Sequence, residues 1–297
     1  MHNSPLVIDG IEMASAITED LSDQLITLKK HNITPGLGVV VVGNNPVSKI
    51  YVDRKRSIAE AIGINSYVIE LEENISQANL RNKIHHLNSD PKINGILVQM
   101  PLPSHIDSID IINAIDPAKD VDGFTTENIG KLITKQHKCL IPCTPQGVML
   151  LIKSVEPILK GKHAVVVGRS NIVGRPISNL LLNEDCTVTI VHSHTKNPQK
   201  ICKTADILIA AAGSKRLIKE DWVKNGAIVI DVGINRVNTK SGRIKIVGDV
   251  DFKNVVSKVK AITPVPGGVG PMTIACLLKN TINATCWQRG FDLLRDY

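Results

Sequence analysis

The sequence predicts an α/β fold in two domains, each built on a parallel sheet, the second of them doubly wound. Three observations predict it. Short aliphatic runs such as GLGVVVVG (36–43), GILVQM (95–100), HAVVVG (163–168) and DILIAAAG (206–213) alternate with longer stretches of helical periodicity. Strands separated by helices pair in parallel through right-handed crossovers. Hydrophobic residues make up 43% of the chain but aromatics only 3%, so the core must be Val, Ile and Leu, as in strands buried on both faces. Finally, 297 residues are enough for roughly two domains of ordinary size.

The elements follow in order. A helix is expected from Glu12 to His31, then a buried strand over 36–43 and a helix through Tyr51 and Lys55 that stops near Gly63. SYVIEL (66–71) is the next strand, ISQANLRNKIHHLN (75–88) a crossover helix, and GILVQM (95–100) a strand that Pro101 stops. The domain boundary is placed between Pro142 and Pro145, with a bridging helix after Thr144. HAVVVG (163–168) opens the second unit. A helix from Gly174 to Asp185 and strands at 187–192, 206–213 and 227–233 follow. NTKSGR (238–243) is expected to turn a small hairpin. AITPVPGG (261–268) runs into a loop, and Pro271 opens a last helix at its favoured first position. That helix either closes the second domain or returns to the first. No internal repeat or low-complexity segment interrupts the pattern.

The formal net charge is +7. Nucleic acid, a membrane surface or an anionic small molecule are all electrostatically compatible with it. No long basic run or aromatic-studded basic stretch is present, so a nucleic-acid binder is not expected, and the lysine excess serves solubility. The six cysteines (139, 143, 186, 202, 276 and 286) form no C-x-x-C pair and no zinc-ribbon spacing. They read as reduced thiols of a cytoplasmic protein. The N-terminus MHNSPLVIDG lacks the features of a secretory or transit leader, and no apolar run spans a bilayer.

GRSNIVGRP (168–176) follows a strand and opens a helix, the setting of a dinucleotide-binding turn in a Rossmann-type domain. The glycine pattern is imperfect. Ser170 and Val173 occupy two of its glycine positions, and Gly174 comes one place late. Where an NAD site places a carboxylate, about twenty residues on, the chain reads VHSHT (191–195). Arg169 with the Ser193 hydroxyl suits a ribose phosphate, so NADP is favoured over NAD. His192 and His194, two apart with no carboxylate, make a poor metal ligand set, and no metal is expected. Three further features fall at strand ends of the first unit, where α/β sheets bind ligands. Tyr51 and Lys55 share a helix face at i, i+4. Gln99 closes a strand, and KDVDGF (119–124) places Asp120 and Asp122 in a polar turn. Each alone is explained by turn-forming, strand-end or solvated side chains. Together they point to a site for a planar polar ligand.

The blocks VGNNPVSKIYVDRK (42–55), GILVQMPLP (95–103), PAKDVDGF (117–124), NIGKL (128–132), PCTPQG (142–147), VVVGRSNIVGRP (165–176), DVGIN (231–235), GDV (248–250) and TPVPGGVGPMT (263–273) run nearly end to end. In this order the chain resembles the bifunctional methylenetetrahydrofolate dehydrogenase/cyclohydrolase family. Met100 stands where leucine is usual, and the last dozen residues match loosely. The resemblance implies a cytoplasmic homodimer that acts on a folate, which can carry a polyglutamate tail. It implies a folate-binding domain of residues 1–143 plus 272–297, with the last helix returning to it, and an NADP-binding domain of residues 144–271. It assigns Tyr51, Lys55 and Gln99 to catalysis and to the folate site, together with Asp122, Pro266, Gly267 and Gly270. It assigns Gly168, Arg169, Ser170, Val173, Gly174, Ser193, Gly213 and Ile234 to NADP. In this scheme Tyr51 stacks on the substrate, Gln99 holds Lys55, Lys55 carries the proton, and Asp122 grips the pterin by a forked hydrogen bond.

Overall fold

The computed structural model describes residues 5–238 and 244–291. The first part of the chain runs β1 (Leu6–Val7), α1 (Gly10–Lys30), β2 (Gly36–Val42), α2 (Pro46–Ile62), β3 (Asn65–Leu71), α3 (Gln77–Ser89), β4 (Gly95–Val98), α4 (Ser108–Asn113) and α5 (Thr126–Ile133). The second part runs α6 (Cys143–Val155), β5 (His163–Val167), α7 (Gly174–Asn183), β6 (Thr187–Val191), α8 (Pro198–Cys202), β7 (Ile207–Ala210) and β8 (Ile228–Asp231). It continues through β9 (Asn235–Asn238), β10 (Ile244–Val247), α9 (Phe252–Val255), β11 (Ala261–Ile262) and α10 (Val269–Gln288). No helix among the described residues is long and apolar enough to cross a membrane.

The chain divides into two compact units, residues 16–143 with 274–297 and residues 1–15 with 144–273. In the first, the parallel sheet has the order β3-β2-β4. Every residue of β2 is buried, as the run of valines requires of a central strand. Val40, Val42, Ile96 and Val98 pack on Leu80 and Ile84 of α3 and Ile111 of α4 on one face. Beyond β4 the segment 119–121 adds a partial fourth strand. Ile96 N–H donates to Lys119 O at 2.7 Å, and Ile96 bridges Asp120 in parallel. The chain leaves β2 toward β3 on one side and comes back as β4 on the other. That reversal opens a crevice at the carboxyl ends of the strands.

The second unit carries a six-stranded, all-parallel sheet of order β1-β11-β8-β7-β5-β6. Its strand order also reverses beside β5, between β6 and β7. Val165, Val167, Leu208, Ala210 and Val229 form a core with Cys202, Val223 and Val255 on one face. The doubly wound, Rossmann-type second sheet and the return of the last helix match the sequence expectation. Along α10, Asn280 bonds the carbonyls of Val121 and Ile141, and Gln288 bonds those of Asn94 and Ala118.

Some boundaries differ. The sequence division put residues 1–143 together. Residues 1–15 instead join the second unit, because β1 pairs with β11 and Gly10 N–H donates to Gly267 O at 3.0 Å. The final helix starts at Val269, two residues before Pro271, which still lies in the first turn where no intrahelical N–H is needed. β4 ends at Val98, although Gln99 N–H still donates to Val40 O at 2.9 Å. β9 and β10 form the expected antiparallel hairpin. The turn expected at 238–243 lies outside the described residues beyond Asn238.

Candidate active site

The crevice of the second unit is floored by the turn after β5. A side chain at Gly168, φ +123°, would put its Cβ 2.1 Å from Ala211 O, and one at Gly174 would lie 2.4 Å from Gly168 O. Only glycine lets the turn close on itself and on the loop after β7. Ser170 Oγ accepts from the N–H groups of Val173 at 3.2 Å and Gly174 at 3.3 Å. The residue that breaks the glycine pattern therefore ties the turn to the first N–H groups of its exit into α7, and its hydroxyl proton is left to donate.

Gly168, Arg169, Ser170 and Ser193 line one pocket of about 490 Å³ with His192, Ala211, Ala212, Ser214, Leu217 and Trp222. Its lining includes no carboxylate. Val173 and Gly174 serve the pocket through Ser170. Gly213, φ +64°, has its N–H on Asp249 Oδ2 at 2.8 Å. Ile234 is exposed, and it is not among the residues that line this pocket. The apolar wall of Ala211, Leu217 and Trp222 was not foreseen, because nothing in its local pattern separates it from core. Asp249 was also missed. It is fully buried and accepts from Ala212 N at 2.7 Å, Gly213 N at 2.8 Å and Asn235 Nδ2 at 2.8 Å. Asp231 accepts from Gly233, Asp249 and Val250. Burial raises its carboxyl to about 6 even against those three donors. The histidine pair shapes the turn: His194 N–H donates to His192 Nδ1 at 3.2 Å.

In the first unit, α2 leaves the reversal point carrying Tyr51 and Lys55. Lys55 Nζ donates to Gln99 Oε1 at 3.1 Å. Gln99 Nε2 donates to Met100 O at 2.8 Å, so its oxygen has to face the lysine. Tyr51, one turn earlier, is 38% exposed, so its ring is accessible. The two acids of KDVDGF separate cleanly. Asp120 is 1% exposed and accepts from Gly123, Phe124 and Thr125 N–H and from Asn128 Nδ2 at 2.8–3.2 Å. It is a turn anchor with its oxygens occupied. Asp122 has a carboxyl raised to about 6, first by burial and then by Asp120, against the pull of Lys55 and the Cys143 thiol. Burial beside Asp122 and Cys276 pushes the Cys143 thiol well above its ordinary value, so it is a neutral donor. Its hydrogen bond runs to Val121 O at 3.2 Å.

Lys55, Gln99 and Asp122 thus belong to one electrostatic cluster in one unit. Pro266 and Gly267, on the loop before α10, and Gly270, in its first turn, lie in the other unit. Gly268 was not singled out. A Cβ there would meet Pro264 O at 2.6 Å, and one at Gly10 would meet Gly268 O at 1.8 Å. The loop is therefore packed backbone to backbone against the start of α1.

Comparison with known proteins adds the family. Residues 8–122 match the catalytic domain, and residues 142–289 the NAD(P)-binding domain, of tetrahydrofolate dehydrogenase/cyclohydrolase. The bifunctional protein FolD of Wolbachia sp. subsp. Drosophila simulans (strain wRi) is 54% identical, over 97% of both chains. The structure of the bifunctional enzyme FolD from Campylobacter jejuni superposes with a TM-score of 0.92 at 47% identity, over 96% of this chain and 100% of that one. The Trypanosoma brucei enzyme, solved with NADP cofactor and an inhibitor, gives a TM-score of 0.92 at 37% identity, over 97% and 99%. The chain belongs to the tetrahydrofolate dehydrogenase/cyclohydrolase family.

Proposed function

We propose that the protein oxidises 5,10-methylenetetrahydrofolate to the 5,10-methenyl compound with NADP, and then hydrolyses that compound to 10-formyltetrahydrofolate. The observation that carries the reading is the cluster of Lys55, Gln99 and Asp122 at one sheet's strand ends, in a chain whose other unit has a carboxylate-free pocket below a glycine turn. The relatives are bifunctional, and one is a complex with NADP.

The pocket residues fit a dinucleotide. The turn 168–174 and the start of α7 offer a phosphate cradle. Arg169 and Ser193 at the rim suit a ribose phosphate, and Ala211, Leu217 and Trp222 supply apolar wall. When bound, the nicotinamide supplies a hydride acceptor. In the folate site Asp122 accepts from the pterin ring N–H and its exocyclic amine, which fixes the ring. Tyr51 stacks on the ligand. In the second reaction water adds to the bridging carbon, and Lys55 takes a proton from it. The carbon–N5 bond then breaks as the new hydroxyl becomes the formyl oxygen and releases its own proton, and Lys55 returns a proton to N5. Gln99 keeps Nζ at that position, since its amide is oriented by Met100 O. Gly213 and Ile234 complete the cofactor site. The active form is a cytoplasmic homodimer, and the basic surplus favours polyglutamylated folates.

The test is one cuvette in which NADPH formation and methenyl absorbance are followed together. Lys55→Ala is expected to stop methenyl consumption and leave measurable NADPH formation. Equal loss of both in a folded variant would remove Lys55 from its role.

A further inference from the structure

The segment that bears Asp122 is held by the last helix. Asn280 is 1% exposed, and its Nδ2 donates to Val121 O and to Ile141 O, both at 2.8 Å. An amide nitrogen has two protons, so these two carbonyls use both; Cys143 Sγ, at 3.6 Å, is not a third acceptor. The Val121 carbonyl belongs to the planar peptide whose N–H is that of Asp122. The orientation of that plane sets where the Asp122 carboxyl points. The Val121 side chain is fully buried, and a Cβ on Gly95 would lie 2.5 Å from it. Neither end of the peptide is free to turn while the amide holds its oxygen. On the far side, Asp120 locks residues 123–125.

We propose that Asn280 is a positioning residue for Asp122, aligning the substrate-binding carboxylate through the Val121 carbonyl. The inference rests on the reading of Asp122 as the pterin acceptor. The residue type follows from the task. Serine would offer one donor and aspartate none, while lysine would add a charge beside the acid. An amide supplies two donors without charge. Without the amide, the Val121 carbonyl keeps only the weak Cys143 thiol donor at 3.2 Å; losing a strong donor from a buried carbonyl costs up to about 1–3 kcal/mol, enough to let the peptide rotate toward another donor.

Steady-state kinetics of Asn280→Ala, Asn280→Ser and Asn280→Asp test this, with Thr281→Ala as control. Thr281 is the neighbouring buried residue, and among the described residues its hydroxyl bonds its own helix, at Leu277 O. The expected result is a KM for 5,10-methylenetetrahydrofolate raised about tenfold in Asn280→Ala, less in Asn280→Ser and at least as much in Asn280→Asp. The KM for NADP stays within about twofold, because that pocket lies in the other unit. Thr281→Ala lowers the melting temperature and leaves both KM values. If Asn280→Ala behaves like Thr281→Ala, the residue is only structural and the proposal fails. Asn280→Ser, which keeps one donor, serves if the alanine variant does not fold. Asp122→Asn separates this from the underlying reading. A folate KM unmoved by Asp122→Asn would remove Asp122 from the site, whereas a large effect there with none at Asn280 would overturn the positioning role alone.

Discussion

Asp120 and Asp122 stand two residues apart with the same side chain, and partners alone give them different work. Asp120 spends its oxygens on three backbone N–H groups and an asparagine. Asp122 is held near 6 by burial that its neighbours only partly offset. A forked bond to the pterin needs the ionised form, so kcat/KM for the folate should fall on the acid side with an apparent pKa near 6. A pH profile flat from 5 to 8 would exclude Asp122 as the acceptor. Stability runs the opposite way. The folded state binds this proton more tightly than the unfolded chain, so stability falls as pH rises from the ordinary carboxylate range through about 6. Asp122→Asn should therefore raise Tm at pH 7.5, by on the order of 2 kcal/mol in stability, with the gain shrinking toward pH 4. Lys55, Gln99 and both acids of KDVDGF stood out in the sequence as polar residues near predicted strand ends, but the choice of Asp122 over Asp120 came only from the family resemblance. Asn280 did not stand out. In KNTIN it reads as one more polar residue on a helix, and its acceptors lie 159 and 139 residues away.

At the scale of elements, β2 and β5 were legible as continuous aliphatic runs and α10 by the proline in its first turn. α4, α5 and α8 have 6, 8 and 5 residues, too few for a 3.6-residue period to stand out. What defines the first two is capping: Asp107 accepts from Ile109 and Asp110 N–H, and Thr125 from Asn128 N–H. Loops were legible only where glycine marked them. The loop after β7 depends instead on Asp249, whose Oδ2 takes the N–H groups of Ala212 and Gly213 while Oδ1 takes the Asn235 amide. Asp249→Asn puts an amide donor where those donors converge, and the wall of the dinucleotide pocket should loosen. We expect the NADP KM to rise about tenfold with the folate KM unchanged. A matched rise in both would mean that the substitution damages the fold rather than this loop. Arg169→Ala should differ again, raising the NADP KM far more than the NAD KM, if its proposed partner is the ribose phosphate.

The whole molecule has only two tryptophans, one in each unit: Trp222 beside the pocket after β5 and Trp287 near the end of α10. Each can report on its own unit. In Trp287→Phe the remaining fluorescence comes from Trp222, which is 7% exposed and forms part of the pocket wall. NADPH should quench it saturably. A ligand that binds only the folded state stabilises by RT ln(1 + [L]/Kd), about 2.7 kcal/mol at one hundred times Kd. The Trp222 melting curve should then move up by several degrees at that NADP concentration. Arg169→Ala should cancel most of the shift at the same concentration by raising Kd. Followed through Trp287 in Trp222→Phe, the midpoint decides cooperativity. Movement in step with the Trp222 curve would mean that the units melt as one, and an unmoved midpoint that they melt apart. If saturating NADP changed neither the emission nor the midpoint of Trp222, the cofactor would not be bound at the turn after β5, and the role given to Arg169 would go with it.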